Sequence, residues 1–153
     1  MSDLVNAGEG RLAHAPSGHG PIARAKVGVL LVNLGTPDGT DYWSMRRYLS
    51  EFLSDKRVID APTWKWQPIL QGIILTLRPS KSGEAYRSIW NNELDESPLL
   101  TITRAQTEKI DAALTAKYGD NIAVDFCMRY GNPSTDSAIR RLQEQGCEKI
   151  VFF

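Results

Sequence analysis

The chain has 153 residues, 42% of them hydrophobic and 24% charged, which is enough for one ordinary domain with a sizeable core. Eighteen basic and eighteen acidic residues cancel, which removes any whole-chain case for a nucleic-acid partner. No run approaches ~18 consecutive apolar residues, so no transmembrane helix is expected.

Residues 1–25 lack the apolar centre of a signal peptide. They carry Gly, Ala, Ser and Pro in no periodic order and read as a disordered tail. Both histidines, His14 and His19, lie in that tail, where solvated side chains are a simpler reading than a metal pair. From residue 26 onward there is no histidine. Residues 27–32 are a continuous β-branched and aliphatic run, which suits a strand buried on both faces of a parallel sheet. A turn-rich loop is expected over 33–39. Thr40 or Asp41 then caps a helix whose apolar face is Met45, Tyr48, Leu49, Phe52 and Leu53.

Residues 56–81 depart from this pattern. Pro62, Trp64, Trp66 and Pro68 interrupt regular structure, and residues 69–77 are strongly apolar. Lys56, Arg57, Lys65, Arg78 and Lys81 outnumber the single acid Asp60, a local net charge of +4. Two readings fit this insert. It is a buried helix under a Pro-rich loop, or a surface that meets a membrane interface or a large apolar anion.

Residues 80–90 read as helical and 91–98 as a loop. A longer helix over 99–118 puts Leu99, Ile102, Ile110, Ala113, Leu114 and Tyr118 on one face, and Gly119 ends it. Residues 122–127 form the next strand, and 129–133 a loop at its end. Ala138, Ile139 and Leu142 mark a helix over 134–145. The chain closes on an apolar run, 149–153, that reads as another buried strand. The order β-α-insert-α-α-β-α-β predicts an α/β fold, a doubly wound parallel sheet with right-handed crossovers. A strand with no loop or helix after it predicts a truncated first half of a larger α/β protein. Cys127 and Cys147 match no metal spacing; they are expected as small buried hydrophobes in a reducing compartment.

Two loops fall where open α/β sheets bind ligands, at the carboxyl ends of strands. The loop over 33–39 is neither G-x-G-x-x-G nor a P-loop. The other carries Arg129 and Tyr130, a guanidinium fork suited to carboxylate or phosphate beside a flat ring with a hydroxyl.

Four segments in register, 30–37, the helix from Arg78 to Tyr86, the Glu96-Ser97-Pro98-Leu99 stretch and 128–133, resemble the ferrochelatases of the proteobacterial type. The resemblance covers 26–153. It implies a Rossmann-like, flavodoxin-type chelatase fold in which this chain is the first of two similar domains, with a lip insertion at about 56–81 and the second domain absent. It implies a lyase that inserts ferrous iron, Fe2+, into protoporphyrin IX in the last step of haem biosynthesis. Leu34, Arg78, Tyr86, Ser97, Arg129 and Tyr130 fall on family positions that contact porphyrin. Trp64, Trp66, Ile69, Leu70 and Ile73 fall on its hydrophobic lip, which implies a cytoplasmic protein able to touch the inner membrane peripherally. No catalytic residue, metal ligand or cofactor is expected in this chain; Fe2+ is a substrate, and the Fe–S cluster of some members is left open. The family's proton-accepting histidine belongs to the other half, so the fragment is expected to be inactive alone. The alternative is a non-catalytic α/β module that binds an apolar anion or a protein partner.

Overall fold

The computed structural model describes residues 25–153. The expected tail, apart from Ala25, and both histidines lie outside the described residues. Three parallel strands, β1 (Lys26–Thr36), β2 (Ile122–Gly131) and β3 (Cys147–Phe152), form one sheet in the order β2-β1-β3. The most continuous apolar run becomes the central strand because only there are both neighbours and both faces covered. β1 pairs with β2 from Val27↔Ile122 to Thr36↔Gly131, and with β3 from Lys26↔Cys147 to Leu30↔Phe152. Both β1 and β2 run farther than the sequence suggests. Residues 33–36 and 129–131, expected as loop, are strand, so strand alternation aims their side chains.

That alternation divides the core. Leu30 shares a cluster with Ala123 and Cys127 of the sheet and with Ala138 and Leu142 of α5 (Thr135–Glu144). Gly28 faces the same way. A Cβ there would lie 3.0 Å from a Leu142 methyl, so α5 packs nearly onto the strand backbone. Asn33 points to the other face and donates from Nδ2 to Thr103 Oγ1 of α4 (Pro98–Tyr118) at 3.0 Å. Helices thus cover both faces, as a doubly wound sheet requires. Cys127 and Cys147 are buried and unbridged.

The buried face of α4 differs from the expected stripe. Thr103 and Thr107 are buried, while Ile102 and Tyr118 are exposed. Their hydroxyls donate back to the carbonyls of Leu99 (2.7 Å) and Thr103 (2.8 Å), which satisfies the polar groups and leaves short side chains for close packing. A hydropathy count scores threonine as polar and shifts the apparent face.

The helix α1 (Tyr42–Ser54) follows the predicted stripe. Asp41 caps it, its Oδ1 accepting from the amides of Trp43 (2.8 Å) and Ser44 (3.1 Å). The insert is helical rather than loop-like: α2 (Thr63–Ile69), a π-helical turn at Leu70–Ile74, then α3 (Leu75–Arg87). Pro68 lies inside α2 and cannot donate to the carbonyl four residues back. The π turn begins two residues on. It brings Leu70 and Leu75 to one buried side, whereas an α-helix would set them about 140° apart. This corrects the expected lip. Leu70 is fully buried with Leu53 and Leu75. Trp66 is half-buried against the same cluster and donates from its indole nitrogen to the Leu53 carbonyl at 2.7 Å. Trp64, Ile69, Ile73 and Leu77 remain exposed. One side of the insert is therefore packed on Leu53 and the other is exposed.

Candidate functional site

The carboxyl ends of β1 and β2 cross within van der Waals distance. At Gly35, φ is +118°, and a Cβ would stand 1.9 Å from the carbonyl oxygen of Tyr130. At Gly131, φ is +83°, and a Cβ would stand 2.5 Å from the Thr36 carbonyl oxygen. Only glycine fits at either place. The tight approach carries the ladder through Gly35↔Tyr130 to Thr36↔Gly131 and so fixes where the Arg129 and Tyr130 side chains project from the sheet. Asn132 then donates from Nδ2 to both carboxylate oxygens of Asp38, at 3.0 and 3.1 Å, and ties the two strand-end loops together.

Beside this crossing lies an open cleft of about 800 Å³, lined by α1 and the end of β2. Arg129 and Tyr130 stand in its wall and share one carboxylate. Arg129 Nη2 donates to Asp55 Oδ2 at 2.7 Å, and the Tyr130 hydroxyl donates to the same oxygen at 3.0 Å. The amide of Arg57 donates to Asp55 Oδ1 at 2.8 Å. That backbone bond, followed by the one from Arg129, holds the Asp55 carboxyl down at about 2. The same pairing raises the basicity of Arg129. Asp55 therefore stays ionised and clamps two side chains that would otherwise be independent. The Arg129 guanidinium also lies over the Tyr130 ring, 5.5 Å from its centroid.

Behind the cleft the aromatic rings continue. Phe52 meets Tyr130 edge-on at 5.2 Å and stacks with Tyr48 at 6.1 Å; Tyr48 meets Tyr86 of α3 edge-on at 6.5 Å. The Tyr48 hydroxyl donates to the Gly35 carbonyl at 3.2 Å, and burial pushes its acidity well below that of an ordinary phenol.

Of the residues singled out from the sequence, Arg129 and Tyr130 line the cleft, and Tyr86 joins them through Tyr48 and Phe52. Leu34 is exposed at the end of β1. Arg78 stands apart on the outer face of α3, beside Ile73, Leu77 and Lys81. Ser97 is 1% exposed, and its Oγ accepts the amide of Leu100 at 3.2 Å as the cap of α4. Glu96 beside it is buried, paired with Arg104, and accepts from the Thr101 hydroxyl at 2.9 Å. In this structure the Glu96-Ser97-Pro98 stretch builds the start of a helix. Sequence reasoning missed Asp55, which follows α1 and is 74 residues from Arg129 in the chain. No local spacing could reveal a partner that distant. Among the described residues no His, Cys, Asp or Glu cluster could hold a metal ion, and no helix is long and apolar enough to cross a membrane.

A family model described as Ferrochelatase matches residues 26–153. A ferrochelatase of Rhodobacter capsulatus is 65% identical over 142 residues, 92% of this chain and 40% of that protein. One of Chelativorans sp. (strain BNC1) is 59% identical over 145 residues, 95% of this chain and 40% of the relative. One of Allorhizobium ampelinum is 57% identical over all 153 residues, 42% of the relative. The chain thus spans about two-fifths of the length of these curated relatives.

Proposed function

The chain belongs to the ferrochelatase family, and on that premise we propose that it supplies a porphyrin-binding wall for the insertion of ferrous iron into protoporphyrin IX, a lyase reaction of haem synthesis. The observation that supports this reading is the cleft at the strand ends. It has an aromatic wall and an arginine whose fork is held at the rim by Asp55. A porphyrin is flat and apolar, and rings held in place by the Asp55 clamp suit its face. The exposed side of the insert, Trp64, Ile69, Ile73 and Leu77 with Arg78 and Lys81, suits an apolar cover over the macrocycle. The same side suits peripheral contact with an anionic membrane of the cytoplasmic compartment. This wall would be the first of two similar domains.

Metal insertion removes two pyrrole protons, and a neutral imidazole is the usual acceptor at neutral pH. Residues 26–153 hold no histidine. The residues described here would bind and orient the macrocycle, and the proton acceptor would come from outside them. A Soret-band titration with protoporphyrin IX tests the binding role. The expected result is saturable binding by the 153-residue chain with no metalloporphyrin formed above the uncatalysed rate when Fe2+ is added. Absence of binding overturns the reading; metalloporphyrin formation overturns the placement of the proton acceptor. The alternative of a non-catalytic module finds no support among the relatives.

A further inference from the structure

Three features of α1 in the cleft are unused by the reading above. Trp43 lies open in the cleft, 64% exposed, its ring braced edge-on by Tyr42 at 5.0 Å. Tyr42 is itself anchored by its hydroxyl to the Leu75 carbonyl at 3.0 Å. Arg46 and Arg47 flank Trp43, and among the described residues neither forms an ion pair. Arg46 donates to the Leu75 carbonyl and to Gln71 Oε1, both neutral. Arg47 donates from Nη2 to the Ser44 hydroxyl at 3.0 Å, also neutral. Two acids nearby accept backbone amides. Asp41 accepts two α1 amides, and Glu51 Oε2 accepts the Gly131 amide at 2.9 Å. Arg129, by contrast, already has its carboxylate in Asp55. The cleft therefore holds one arginine in an ion pair and two whose hydrogen bonds go to neutral groups, with Asp41 near enough to Arg47 for its carboxyl to be held down partly by that charge.

Resting on the porphyrin reading, we propose that α1 carries a carboxylate-binding edge of this cleft. Arg47 grips a carboxylate of the ligand, Arg46 adds charge from a position fixed by Leu75 and Gln71, and Trp43, one turn away on α1, provides a flat surface. A guanidinium bound only to a hydroxyl keeps N–H groups free for a bidentate carboxylate. A braced indole accepts an aromatic face with little loss of side-chain freedom. The volume lies within the usual range for small-molecule sites, roughly 300–1,000 Å³.

The test compares protoporphyrin IX with its dimethyl ester, which keeps the ring and masks the charges, on the 153-residue chain. Arg47→Gln is expected to weaken protoporphyrin binding about fivefold and leave ester binding within about twofold. Arg47→Lys restores the charge without the fork and is expected to fall between. Trp43→Ala is expected to weaken both ligands alike. A circular-dichroism melt confirms that each variant is folded. Equal effects of Arg47→Gln on acid and ester, or no effect on either, overturn this assignment while leaving the porphyrin reading in place. Failure of the unaltered chain to bind either ligand overturns the porphyrin reading and this assignment with it.

Discussion

Asp55 is the residue on which the wall of the cleft depends, since it alone joins Arg129, Tyr130 and the turn after α1. Its carboxyl lies at about 2 in the folded chain against an ordinary 3.8. A depressed value means that the folded state favours the ionised form. The stabilisation is present above the ordinary value and is lost as pH falls from about 4 toward 2. Stability measured against pH should fall through that window in the unaltered chain. In Asp55→Asn the share of that fall due to this group should be missing. An unchanged acid limb in the variant would show that the clamp carries no stability. Gly35 is the second residue of this kind. Alanine there meets both a positive φ and the Tyr130 carbonyl, so Gly35→Ala should cost at least about 2 kcal/mol in a denaturant melt. A neutral result would mean that the strand crossing can open without loss.

Among the elements, the insert is where packing and exposure separate most sharply. Trp64 is 75% exposed, and the Lys65 ammonium lies over its ring at 4.9 Å from the centroid. Trp66, two residues on, spends its N–H on the Leu53 carbonyl and packs on Leu70 and Leu75. Trp64→Ser should therefore leave the melting temperature nearly unchanged, within about 0.5 kcal/mol. Trp66→Ser should cost about 2 kcal/mol through lost contact and an unpaired carbonyl. If the exposed side meets a membrane, Trp64→Ser alone should reduce flotation with anionic liposomes. Flotation unchanged by Trp64→Ser would remove the membrane role from this helix and leave the insert as a scaffold for Leu70.

Among the described residues, one edge of the sheet is less well covered than the rest. β3 is an edge strand, and Val151, Phe152 and Phe153 are 53%, 56% and 83% exposed. Phe153 exchanges backbone hydrogen bonds with Leu30 and Val32 at 2.9 Å, so this ladder presents its outer edge to solvent. An apolar edge of this kind invites pairing with another chain. The 153-residue chain should self-associate with rising concentration in sedimentation velocity, and Phe153→Lys should suppress that association. A chain that stays monomeric at high concentration would show that the edge is protected by its twist or by its lysine and glutamate neighbours.

The sequence by itself determined the class of fold and much of its order, because these are set by local and periodic signals. A continuous apolar run suited a strand of a parallel sheet, Thr40 or Asp41 could be seen as a cap, and Met45 to Leu53 could be read as one face of α1. Tyrosine and arginine at the end of a strand already pointed to the crevice. Three things were decided only by tertiary structure. The inward face of α4 is threonine, because hydroxyls satisfied by the helix's own carbonyls pack as small apolar groups. Leu70 and Trp66 turn inward, because a π turn after Pro68 changes the angular period on which any face assignment rests. Asp55 reaches Arg129 and Tyr130 across more than seventy residues of chain. The folded sheet brings them within hydrogen-bond distance, and no spacing along the chain encodes that meeting.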